Sequence, residues 1–61
     1  MADDMFPISV ADMISELQRE IALRERVYPR FVEQKKLTQA KADRQIAVMR
    51  AAIERLRGLP T

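Results

Sequence analysis

Residues 26–43, RVYPRFVEQKKLTQAKAD, hold a proline, a lysine pair and a threonine, and the point within them where a helical chain reverses decides which apolar faces meet. The apolar spacing passes through Pro29 undisturbed, because Tyr28, Phe31 and Val32 stay on the face carried by the residues before them. Pro29 lacks the N–H that would reach the Glu25 carbonyl, and its ring crowds that turn. The spacing therefore predicts a kink, or a break followed by a short helix with Pro29 in its first turn, but not the reversal itself. Periodicity stops at Lys35, Lys36 and Leu37, and Thr38 then offers an N-cap for a second helical run. The reversal belongs at the lysine pair.

Upstream, Ser9 is a good N-cap and Asp12, three residues on, completes a capping box, while Ile8 and Met13 occupy the positions of a hydrophobic staple. Val10, Ile14, Leu17, Ile21, Tyr28 and Phe31 follow an alternating spacing of 4 and 3, with Arg24 as the polar interruption. Met13, Leu23 and Val27 widen this seam on one flank and Val32 on the other, to about half the helix circumference. Downstream, Ala42, Ile46, Met49, Ile53 and Leu56 repeat the spacing, with Val48 and Ala52 extending the arc. Gly58 is expected in a left-handed C′ conformation with Leu59 folded back on Ile53, and Pro60 prevents continuation. The expected fold is all-α: an antiparallel helical hairpin of helix 1 over about 9–35, kinked or broken at Pro29, and helix 2 over about 39–57. Residues 1–8 read as a flexible N-terminal tail and 9–61 as one domain.

A chain of 61 residues without cysteine has a thin core and no disulfide to supplement it. The longer helix, roughly 40 Å against roughly 30 Å, would overhang its partner at Val10, Met13 and Ile14, and both apolar arcs are too wide for one neighbour. These features point to a homodimer, a four-helix bundle, in which the packing residues are Val10, Met13, Ile14, Leu17, Ile21, Tyr28, Phe31, Ile46, Met49, Ile53 and Leu56. Folding of the N-terminal part onto its own hairpin, hinged at Pro29, is the monomeric alternative. The charge is uneven: residues 1–34 carry four Arg against seven acids, net −3, and 35–61 carry seven bases against two acids, net +5. Complementary helix flanks account for this, and a basic surface for nucleic acid is the second reading.

Chemistry-bearing residues are sparse. Histidine, cysteine and tryptophan are absent and there is a single glycine, so the usual nucleophiles, general base, soft metal ligands and glycine-rich phosphate loops are missing. No catalytic, cofactor-binding or metal-ligating residue is assigned, and no cofactor is expected. Asp12, Glu16 and Glu20 form an acidic ridge on helix 1, which reads as solvated rather than as a cation site. Arg24 lies inside the apolar arc and needs water or a partner, with Glu20 the obvious one. Tyr28 reads as a core aromatic whose hydroxyl reaches the rim. The longest apolar run, Ile46 to Met49, is far below a membrane span and the first residues are acidic, so a soluble, cytoplasmic protein without membrane contact is expected.

The stretch LTQAKADRQIAVM opens like a helix-turn-helix, but the seam runs unbroken from Ala42 to Leu56 and leaves no room for a second turn. A homodimeric hairpin of nearly this length resembles the plasmid copy-number regulator Rop. That resemblance implies RNA binding on one bundle face, for which Lys41, Arg44 and Arg55 on one side of helix 2 are the candidates. Residues 14–56 also resemble small uncharacterised helical-hairpin proteins of phages and prophages of proteobacteria. The likeness rests on Glu16 to Ile21, on Val27, Tyr28, Pro29 and Phe31, and on Leu37, Thr38, Ala42, Asp43 and Arg44. The likeness brings no activity with it; for a small phage-type protein without a catalytic inventory, the expectation is a non-enzymatic accessory protein that acts by protein–protein interaction with an unidentified partner. A Rop-like nucleic-acid-binding regulatory dimer is the alternative.

Overall fold

Helix α1, Val10–Glu33, begins where its cap chemistry demands. Ser9 is extended (φ −90°, ψ 164°), its hydroxyl accepts the Asp12 N–H at 3.0 Å, and the Asp12 carboxylate accepts the Ser9 N–H at 3.0 Å. The two orphan donors at the helix start are thus satisfied reciprocally. The structure is a computed structural model that describes residues 7–60; of the expected tail, residues 1–6 lie outside the described residues.

Helix α1 runs through Pro29 to Glu33 as one helix, so of the two expectations the break does not occur, and the helix stops two residues short of Lys35. Tyr28, just before the proline, is tied to Gln45 of the second helix, and Val32, just after it, is half-buried; tertiary packing of this kind outweighs a single lost backbone bond. The end is a Schellman closure. Lys35 takes the left-handed conformation (φ 60°), its N–H reaches the Val32 carbonyl at 3.0 Å, and the Lys36 N–H reaches the Phe31 carbonyl at 2.9 Å.

Thr38 then caps α2, Gln39–Arg57, its hydroxyl accepting the Lys41 N–H at 3.1 Å. The two helices form an all-α antiparallel hairpin, and Glu25 meets Arg50 while Tyr28 meets Gln45 across it. Gly58 departs from expectation: it is right-handed (φ −83°, ψ −4°) and serves as the C-cap, so the chain leaves α2 without a left-handed residue. Leu59 consequently stays half exposed instead of folding back on Ile53.

The core is one seam. Ile21, Ala42 and Ile53 are the buried side chains among the described residues, and the Cα trace is only 12 Å deep in its smallest dimension. That is a single layer of helices, whereas a self-sufficient domain normally packs two.

Candidate interaction surface

Every large apolar residue outside the seam needs an account, and the helical rotation supplies it. At about 100° per residue, Met13, Val27 and Phe31 lie roughly 80–120° to one side of Ile21 on α1, and Val48, Ala52 and Leu56 lie to the same side of Ile53 on α2. In an antiparallel hairpin those two sides form one face. Met13 is 41% exposed, Phe31 38% and Val48 53%. Met13 and Phe31 therefore lie beside the seam that α2 covers, and within one chain they stay exposed. Val10, Ile14, Leu17, Tyr28, Ile46, Met49 and Leu56 are half-buried, and Ile21 and Ile53 are enclosed. The Ile8–Met13 staple does not close, since Ile8 is exposed.

A chain of polar groups crosses the middle of this apolar face. Arg24 Nε donates to Glu20 Oε1 at 2.8 Å and its Nη1 donates to Tyr28 Oη at 3.1 Å; the tyrosine hydroxyl in turn donates to Gln45 Oε1 at 2.6 Å. These bonds, chiefly the one to Glu20, hold the Arg24 guanidinium above its usual pKa range. Arg24 is only partly exposed, and its charge is balanced by Glu20 one turn earlier. Gln45 escaped the sequence reading. Its signal was the hairpin register, which places it opposite Tyr28 once the turn is fixed at the lysine pair.

The opposite face is polar. Arg50 Nη2 reaches Glu25 Oε2 at 2.6 Å between two shallow clefts, one lined by Tyr28, Pro29, Ala42 and Ile46 and the other by Gln18, Ile21, Ile53 and Arg57. Both charged groups of this pair are half exposed, so it contributes at most about 1 kcal/mol. Each carboxylate of the acidic ridge is already engaged: Asp12 in the cap, Glu16 with Arg19 at 2.9 Å, and Glu20 with Arg24.

The three basic candidates are dispersed. Lys41 and Arg44 lie within one turn, and Arg55 is some 17–21 Å further along α2. All three are exposed. No family model, no curated protein and no solved structure matches the chain.

Proposed function

We propose that this chain is a non-enzymatic helical protein that works by binding protein, and that the apolar face centred on Glu20, Arg24, Tyr28 and Gln45 is its contact surface. The observation that carries the reading is the imbalance between three enclosed side chains and a face bearing Met13, Val27, Phe31, Val48, Met49 and Leu56. Exposed apolar area of that extent, with a polar rim, marks interaction surfaces. The likeness to phage and prophage hairpins supports a small accessory protein, and a cytoplasmic site of action suits it. Among the described residues no helix is long and apolar enough to cross a membrane.

The test compares the tagged chain with a Met13→Glu/Phe31→Glu variant, in which both changes fall on already exposed positions. Proteins captured by the unchanged chain survive nuclease treatment, and both they and any mass above one chain are lost in the variant. Association that is indifferent to the two changes overturns the reading.

A second reading has one observation in its favour. Lys41, Arg44 and Arg55 form no ion pair among the described residues, so their charge is free for phosphate. A nucleic-acid complex that weakens steeply between low and moderate salt, and weakens further on Lys41→Gln or Arg55→Gln, would establish it.

A further inference from the structure

The uncovered flank of α1 has the same character in both directions. Met13, Leu17, Glu20, Arg24, Val27 and Phe31 follow one another at intervals of 4, 3, 4, 3 and 4 residues. Reflection about the level of Ala22 exchanges Met13 with Phe31, Leu17 with Val27, and the acid Glu20 with the base Arg24. Laid antiparallel on a copy of itself, such a stripe meets apolar with apolar at both ends and opposite charges in the middle.

On α2 one pair of the flank repeats this about Ala52: Val48 and Leu56 stand at equal distances on either side of it. The two centres lie at one level along the hairpin. Glu25 is level with Arg50 and Tyr28 with Gln45. At an equal rise per residue, the level of Ala22 on α1 falls between Ala51 and Ile53, at Ala52. A two-fold axis passing both helices of a hairpin must do so at one level, and the Val48–Leu56 pair is compatible with the level that the α1 stripe sets.

We propose that a second copy of this chain covers the apolar face, α1 lying antiparallel on the partner's α1 and α2 on the partner's α2, about a two-fold axis at the level of Ala22 and Ala52. The inference rests on the reading of that face as a protein-docking surface and names its occupant. Glu20 and Arg24, joined within one chain, gain a second partner each across the axis. The small side chain of Ala52 lets the two α2 helices approach closely where they cross the axis. The contact is isologous, so it closes at two copies and yields a four-helix bundle with the Glu25–Arg50 face outward. A protein of unrelated sequence would not require the stripe to be self-complementary.

The chain contains no cysteine, which makes single-cysteine variants clean reporters. Sedimentation should give twice the 7.1 kDa chain mass at micromolar concentration. Ala52→Cys, near the axis, should give a disulfide-linked dimer under mild oxidation, and Ala47→Cys on the opposite face should not. Met13→Cys mixed with Phe31→Cys should give a crosslinked pair that neither forms alone, because two copies of either position lie roughly 27 Å apart, far beyond the reach of a disulfide. Circular dichroism of each variant verifies that the helices persist. A mass of one chain overturns the second copy as occupant, and the docking reading is then decided by the Met13→Glu/Phe31→Glu comparison. A dimer mass without the Ala52 crosslink, and with the mixture no better than its components, overturns this two-fold while leaving association intact.

Discussion

Lys35 is the residue at which the chain spends conformational energy. A left-handed backbone at a residue with a Cβ costs on the order of 1 kcal/mol, and Lys35 adopts it because the Schellman bonds of its own and the Lys36 N–H close the last turn of α1. Lys35→Gly should raise stability by about 0.5–1 kcal/mol in chemical denaturation; a loss would mean that the lysine side chain contributes something the backbone geometry does not require. Gly58 behaves oppositely. It is right-handed, and a Cβ there would meet the Arg55 carbonyl at 3.5 Å, an ordinary contact. Gly58→Ala should therefore stabilise by about 0.4–1 kcal/mol through the unfolded chain. The pair inverts what the letters suggest, because a glycine after a helix signals a left-handed cap only when the chain must turn sharply there. At the other end of α1, the Asp12 carboxyl is held below its ordinary value, first by the hydrogen bond from the Ser9 backbone and then by the Ser9 hydroxyl. A lowered folded-state pKa contributes stability that is present above the unfolded value and lost as pH falls through the folded one. The first turn of α1 should thus fray below about pH 4, seen as faster amide exchange at residues 10–13, and Asp12→Asn should remove that pH dependence.

Helix α1 and its neighbour show how far periodicity and cap chemistry carry. The cap at Ser9, the restart at Thr38 and the shared seam of Ile21 and Ile53 were legible because each rests on local spacing. The left-handed lysine and the right-handed glycine were not, since both depend on where the chain goes next. Pro29 was legible as a perturbation but not in its outcome. Whether a helix breaks at proline depends on the packing that holds its two halves, and that packing is a property of the hairpin. Pro29→Ala restores an N–H for the Glu25 carbonyl, so it should stabilise the fold by about 1–3 kcal/mol without moving the hairpin register. An unchanged denaturation midpoint would show that the proline serves the folded chain in some other way. Of the face proposed for interaction, the residues were legible as an over-wide arc, but the polar chain from Glu20 to Gln45 was not. It joins two helices, and only their juxtaposition reveals it.

At the scale of the whole molecule, the proposed dimer, in which a single helical layer finds its second layer in another copy, would have a stability tied to concentration. A tenfold increase in chain concentration favours a two-fold dimer by about 1.4 kcal/mol, which should raise its melting temperature by roughly 5–8 °C, whereas a monomer would melt at one temperature throughout. The central charges give a sharper prediction. Replacing Glu20 and Arg24 together by leucine removes charges that the bundle would enclose and leaves the Tyr28–Gln45 bond in place. Apolar replacements of enclosed ion pairs are commonly neutral or stabilising by about 1–4 kcal/mol, so the double variant should melt no lower than the unchanged chain. In the proposed dimer the charges would nevertheless orient the stripe: with parallel α1 helices each would face its own like, and with antiparallel ones its opposite. The leucine variant loses that discrimination. Its crosslinking through Ala52→Cys should fall relative to the charged chain while its dimer mass persists, and an undiminished crosslink yield would assign the choice of register to the apolar ends of the stripe rather than to its centre.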